Sequence, residues 1–153
     1  MYIYPNQFSV EMKTVKHILQ NKPPRVISVT SVISVLEALQ IMMENNISAL
    51  LVVEGGKLQG IFTERDYARK IILVGRSSRE TPLSDVMTAH PHTVTPSDTI
   101  ERCMQLMTER HFRHLPVVEN GEVAGIISIG DVVKSIIEDQ QQTISQLQHY
   151  ISS

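Results

Sequence analysis

Two blocks of the chain carry the same order of apolar and polar positions. In the first, "SVLEALQIMMENN" (34–46) sets apolar residues three and four apart among strong helix formers, which predicts an amphipathic helix. "ALLVV" (49–53) is an apolar run of strand length, Gly55-Gly56 suits a two-residue hairpin turn, and "LQGIF" (58–62) closes the hairpin. "TERDYARKIILVG" (63–75) returns to helical spacing. The second block repeats this order with "TIERCMQLMTERH" (99–111), "HLPVV" (114–118), Asn120-Gly121, "VAGII" (123–127) and "IGDVVKSIIEDQ" (129–140). The β-branched runs "RVISV" (25–29) and "HTVT" (92–95) precede the blocks and read as strands.

The blocks are a tandem duplication. Gly60 to Gly125 and Asp66 to Asp131 are both 65 residues apart, and that offset holds without a gap from Val29 to Asp66. Of the 38 positions aligned this way 13 are identical, among them Val29/Val94, Met42/Met107, Val52/Val117 and Ile61/Ile126. A unit of this size is marginal alone, so two copies with facing sheets and a shared core are expected. "LSDVM" (83–87) resembles "VKHIL" (15–19), at an offset of 86 − 18 = 68, and reads as a short lead-in helix for each unit. The division expected is an extension over 1–12, a first repeat over 13–74, a polar linker over 75–82, a second repeat over 83–139 and a helical tail over 140–153. In that last stretch of helix, Val133, Ile137, Ile144, Leu147 and Ile151 fall at a/d spacing with Gln140 between them. Two readings stay open there: a seam for a partner subunit, or a helix folded back on its own domain.

Composition narrows the function. A hydrophobic fraction of 42%, a charged fraction of 20% and a formal net charge of −2 describe an ordinary globular chain with scattered basic residues. Nucleic acid is therefore not the expected partner. No apolar run reaches the ~20 residues of a membrane span, and the first residues lack the basic and apolar regions of a signal peptide. With one cysteine, Cys103, a cytoplasmic protein is expected.

The candidate chemistry lies in the duplicated Thr63-x-x-Asp66 and Ser128-x-x-Asp131. Each stands between a strand and a helix, so each reads first as a capping box, with hydroxyl and acid satisfying free backbone N–H groups. Three features point further. Both copies use Asp where Glu is usual, and both carry a strand glycine, Gly60 or Gly125, of the kind that marks close approach of a ligand or another backbone. A helix start beside a hydroxyl also suits a phosphate, and a carboxylate offers two acceptors to the diol of a ribose.

At these residues the chain resembles the tandem CBS domain family, whose paired repeats form a Bateman module. The motifs are "DVMT", "HLPVVENGEVAGIISIGD" and "ISALLVVEGGKLQGIFTERD", and the similarity runs over about residues 13 to 139. The resemblance implies an α/β (α+β) fold of two pseudo-twofold-related repeats, each strand-helix-strand-strand-helix. It also implies two clefts that take adenosine-containing ligands: AMP first, then ADP, ATP, NAD or S-adenosylmethionine. By similarity Asp66 and Asp131 hold ribose, and Thr63 and Ser128 meet phosphate. Asp131 is expected to share its cleft with Ile27, Ser48 and Ala49, and Asp66 with His92, Phe112 and Arg113. Ile61, His114, Ile126 and Gly130 complete the expected ligand contacts. The clefts should differ, since Arg113 and His114 align with Ser48 and Ala49, and Arg65 with Gly130.

Other chemistry is weaker. His90 and His92, and His111 and His114, are spaced like metal ligands, yet no second cysteine or His-Glu-x-x-His motif joins them. Cys103 aligns with Ala38 in a helix and reads as core. With no nucleophile motif, phosphate-binding lysine loop or catalytic dyad, a non-enzymatic regulatory module is expected. It would be homodimeric through exposed helices and pass its signal to an effector protein. The alternative is a ligand-free dimerisation or protein-interaction module.

Overall fold

The structure, a computed structural model, describes residues 13–152; the expected extension over 1–12 lies outside the described residues. Each repeat is built as its pattern dictates. Helices α2 (Val35–Glu44) and α4 (Ile100–Arg110) start at Ser34 and Thr99, whose side chains accept from the N–H of Glu37 and Arg102, each at 3.1 Å. Strands β2 (Ala49–Glu54) and β3 (Lys57–Thr63) form one hairpin, and β5 (His114–Glu119) and β6 (Glu122–Ser128) the other. Both hairpins turn through two residues of positive φ, Gly55-Gly56 at 56° and 78° and Asn120-Gly121 at 53° and 79°. The registers match: Ala49 opposes Thr63 as His114 opposes Ser128, Val52 opposes Gly60 as Val117 opposes Gly125, and both ladders slip at the next residue.

The strands ahead of the first helices are shorter than expected. β1 (Ser28–Val29) pairs in parallel with β2, while "HTVT" contributes a single bridge from Val94 to Val117. By the 65-residue offset the missing pair, Ser28 with Leu51, becomes Thr93 with Pro116, and Pro116 has no N–H to donate to the ladder. The closing helices differ from one another. After β3, α3 (Glu64–Tyr67) gives way to a π turn over Ala68–Ile72, whereas α5 (Ile129–Ser152) runs unbroken for 24 residues.

The lead-in segments are exchanged between repeats. Helix α1 (Val15–Gln20) precedes the first repeat but packs on the second: Val15 N–H donates to Asp98 O at 2.9 Å, and Ile100 N–H to Lys13 O at 3.2 Å. Leu83–Asp85, a single 3-10 turn rather than a helix, precedes the second repeat but packs on the first. Leu83 N–H donates to Ile33 O at 2.8 Å, and Val35 N–H to Thr81 O at 2.9 Å. These paired bonds follow both sequence offsets, 65 within the repeats and 68 in the lead-ins. Strand β4 (Thr88–Ala89) then extends the first sheet against β3, in the order β1-β2-β3-β4.

The exchange shapes the core. Val15 and Ile18 are buried with Ile100, Cys103, Leu115 and Val132, and Leu83 and Val86 with Val35, Leu50 and Phe62. A third, smaller cluster joins the facing sheets, with Ala49, Leu51 and Ile61 against Val123 and Ile126. Each repeat thus has its own core, closed by a segment that belongs to the other, and removing either lead-in exposes the partner's interior. No helix among the described residues is long and apolar enough to cross a membrane.

Candidate functional site

The sharp turn from β3 into α3 sets the first site. Thr63 Oγ1 accepts from Asp66 N–H at 3.2 Å, and Asp66 Oδ2 accepts from Thr63 N–H at 3.0 Å, which completes the capping box. The other oxygen, Oδ1, accepts from Thr88 Oγ1 at 3.1 Å and pairs with Lys70 Nζ at 3.0 Å. Lys70 also donates to Val86 O at 2.9 Å, so the exchanged lead-in helps to hold the aspartate.

Asp66 opens onto a cleft of about 760 Å³ walled by both repeats. The first repeat supplies Ile61, Thr63 and Ser48, and the second His92, Phe112, Arg113 and His114. His92 and Phe112 stand together with ring centroids 5.6 Å apart and planes at 41°. Five cations line the cleft (Arg65, Arg69, Lys70, Arg110 and Arg113) against two acids, Glu64 and Asp66, so its formal charge is 5 − 2 = +3 with histidines neutral. Arg65 spans the mouth, its Nη1 donating to His111 O at 3.0 Å. His111 holds that carbonyl in place from a left-handed cap on α4, at φ 59°.

The turn from β6 into α5 repeats the cap. Asp131 Oδ2 accepts from Ser128 N–H at 2.8 Å, and Asp131 N–H donates to Ser128 Oγ at 3.1 Å. The cation here comes from the first lead-in: Lys22 Nζ lies 2.9 Å from Asp131 Oδ2 and 2.9 Å from Ile126 O. Burial acts to raise the Asp131 carboxyl, but the Lys22 hydrogen bond and the Ser128 N–H outweigh it and hold it below the ordinary carboxylate range. Charge is far sparser around this aspartate. By the 65-residue offset, Arg65, Lys70, Arg110 and Arg113 become Gly130, Ser135, Asn45 and Ser48, and only Arg69 keeps a cation, as Lys134.

The expected site residues thus divide. Ile61, Thr63, Asp66, His92, Phe112, Arg113 and His114 meet in one cleft. Ser48, expected beside Asp131, lies on the wall of the Asp66 cleft, where its hydroxyl is 3.1 Å from His114 Nε2. Ala49 and Ile126 share the cluster between the sheets, Ile27 packs at the edge of the first repeat's core, and Gly130 is exposed beside Ser128. The two strand glycines make room for protein. A Cβ on Gly60 would lie 2.8 Å from Met87 Sδ and from Thr88 O, and one on Gly125 would lie 2.8 Å from Leu19 Cδ2. Both serve the exchanged lead-ins. Among the described residues no three His, Cys, Asp or Glu side chains gather as a metal site. Cys103 is core, its thiol pushed up to about 11 by burial.

Sequence reasoning missed Lys70, Thr88 and Lys22. Lys70 carried a local signal, four residues past Asp66 on one helical face. Lys22 bonds Asp131 across 109 positions and carried none.

The CBS domain model matches residues 15–73 and 83–138. CBS domain-containing protein CBSX3, mitochondrial, of Arabidopsis thaliana is 43% identical over 123 residues, which take in 77% of this chain and 60% of that protein's length. A solved structure of a putative signal-transduction protein with CBS domains from Burkholderia ambifaria MC40-6 is 49% identical, with a TM-score of 0.79 over 84% of this chain and 96% of that one. Two further structures, each 28% identical and matching 84% of this chain, hold ligands. CBSX2 in complex with AMP has a TM-score of 0.68 over 98% of its chain. The CBS domain pair of MJ0100, in complex with 5′-methylthioadenosine and S-adenosyl-L-methionine, has a TM-score of 0.73 over 99% of its chain. With two matched domains, the exchanged lead-ins and the pseudo-twofold hairpins, this chain belongs to the CBS domain family.

Proposed function

We propose that the protein is a regulatory module that binds an adenosine-containing nucleotide in the Asp66 cleft and relays occupancy to an effector protein. The observation that carries this reading is a cleft of formal charge +3 in which a helix-start aspartate faces cations contributed by both repeats. Adenine packs against Ile61 and the His92–Phe112 pair, and the ribose diol takes the Asp66 carboxylate in place of the Lys70 ammonium. The phosphate lies toward Arg113 and Arg65, where charge-assisted bonds form. AMP is the leading candidate, with ADP, ATP and NAD sharing its chemistry, and the AMP complex of CBSX2 supports this class. S-adenosylmethionine fits less well, because its sulfonium brings a positive charge to a cationic wall.

A ligand held by both repeats favours whichever arrangement of them it binds more tightly, and shifts the population only by that difference. Catalysis has no comparable support. Both Asp66 oxygens are committed to a cap and an ion pair, and the Cys103 thiol is buried in the core.

A second reading, a ligand-free interaction module, draws on the completeness of both capping boxes, which gives each aspartate a structural role of its own. Calorimetric titration with AMP, ADP, ATP, NAD and S-adenosylmethionine separates the two. Saturable binding of the phosphate-bearing ligands, with S-adenosylmethionine weaker, supports the sensor. Silence from every ligand at millimolar concentration leaves the interaction module.

A further inference from the structure

Of the five cations that line the Asp66 cleft, Lys70 alone is paired with a carboxylate among the described residues. Its ammonium lies 3.0 Å from Asp66 Oδ1 and donates to Val86 O at 2.9 Å. The two partners are unequal. The Val86 carbonyl is part of the protein wall, whereas Oδ1 is an acceptor that a ribose diol would claim. The Thr63 N–H and the Thr88 hydroxyl fix the Asp66 carboxyl, and the Lys70 side chain is 40% exposed. When a diol arrives, the lysine is therefore the group that moves.

Displacement leaves the ammonium in an unfavourable field. Without Oδ1 it keeps one neutral acceptor, and Arg65, Arg69, Arg110 and Arg113 line the same cleft. Like charges gathered away from bulk water repel more strongly than they do in it. A nucleoside thus binds at the expense of an ion pair and leaves one more cation unneutralised. A nucleotide brings the missing anion. Its phosphate lies toward Arg65 and Arg113, and an ammonium on a flexible four-carbon stem can pass from carboxylate to phosphate with a charge-assisted bond at either end.

The second repeat has no such group. Ser135 holds the position of Lys70 there and is buried. The cation on Asp131, Lys22, comes from the exchanged lead-in and is held besides by Ile126 O at 2.9 Å.

We infer that Lys70 makes the Asp66 cleft selective for a nucleotide over its nucleoside: the diol and the ammonium compete for Asp66 Oδ1, and the phosphate receives the ammonium that the diol displaces. This rests on the nucleotide reading above and extends it, because one side chain then couples the recognition of ribose to that of phosphate.

Calorimetric titration of the full chain and its Lys70 variants with AMP and with adenosine tests this. Lys70→Met removes both the competitor for Asp66 and the partner of the phosphate. Adenosine should bind this variant about 2-fold to 5-fold more tightly than it binds the unmodified protein, the equivalent of a part-exposed ion pair. AMP should bind it about 10-fold more weakly, because the lost phosphate contact outweighs the relieved competition. A residue that merely shaped the cleft would move both affinities in the same direction. Lys70→Gln, which keeps a donor for Val86 O, should repeat the pattern, and Lys70→Arg should restore the preference for AMP. Affinities that fall together in Lys70→Met and Lys70→Gln, or an unchanged ratio between them, overturn the inference and leave the nucleotide reading standing. An unmodified protein that binds neither ligand overturns both.

Discussion

Ser48 Oγ lies 3.1 Å from His114 Nε2, a hydrogen bond that ties the approach to β2 to the first residue of β5 across the pseudo-twofold axis. Burial, and then the nearby Lys22 ammonium, lower the His114 pKa below its ordinary 6.5. The folded chain therefore holds this ring neutral where the unfolded chain protonates it.

The stability that follows is full above pH 6.5, the unfolded value, and declines as pH falls below it toward the folded pKa. Chemical denaturation at pH 7 and pH 5 should show the unmodified protein losing more stability over that interval than His114→Gln. Equal losses would mean that the ring titrates as it does in water.

The exchanged lead-ins predict unequal costs for two equivalent substitutions. In Gly60→Ala the new methyl meets the Thr88 carbonyl, a backbone atom that cannot turn away, as well as Met87. In Gly125→Ala it meets only the end of the Leu19 side chain, which can rotate. Gly60→Ala should destabilise by about 2 kcal/mol or more and Gly125→Ala by about 1 kcal/mol. Equal, negligible losses in thermal denaturation would remove the lead-ins from the account of these glycines.

These glycines also mark the limit of what the sequence reveals. Strand, helix, hairpin and helix were legible because each rests on local periodicity and turn chemistry, and the 65-residue repeat read each element twice. The exchange was not, because the pattern of "VKHIL" or "LSDVM" is the same whichever repeat it covers. Gly60 and Gly125 read only as marks of close approach by a ligand or another backbone, because the neighbours that decide between the two, Met87 and Thr88 for Gly60 and Leu19 for Gly125, come from distant segments. At the site, Asp66 and Arg113 were legible from the duplicated motif and the resemblance. The +3 charge arises only when Arg110 and Arg113 of the second repeat face Arg65, Arg69 and Lys70 of the first across the cleft.

Lys22 should control the ionisation of Asp131. In the unmodified protein the carboxyl titrates below 3.8, so its contribution to stability is present above that pH and is lost as pH falls through the lower folded value. Lys22→Met removes the ammonium, and the Asp131 pKa should rise, as followed by carboxyl NMR. The half-exposed pair should cost about 1 kcal/mol or less. An unchanged Asp131 pKa would place the cause in the Ser128 cap alone.

The most direct test of the nucleotide reading uses Arg113, whose side chain is exposed and makes no hydrogen bond or ion pair among the described residues. Arg113→Ala should therefore leave the melting curve within about 0.5 kcal/mol of the original. Calorimetry of both proteins with AMP and with adenosine then isolates the phosphate contact. The account predicts a loss of about 10-fold to 100-fold in AMP affinity, corresponding to a charged hydrogen bond of about 1.5–3 kcal/mol, with adenosine binding unchanged. Undiminished AMP affinity in Arg113→Ala, or adenosine binding the original protein as tightly as AMP does, would contradict it.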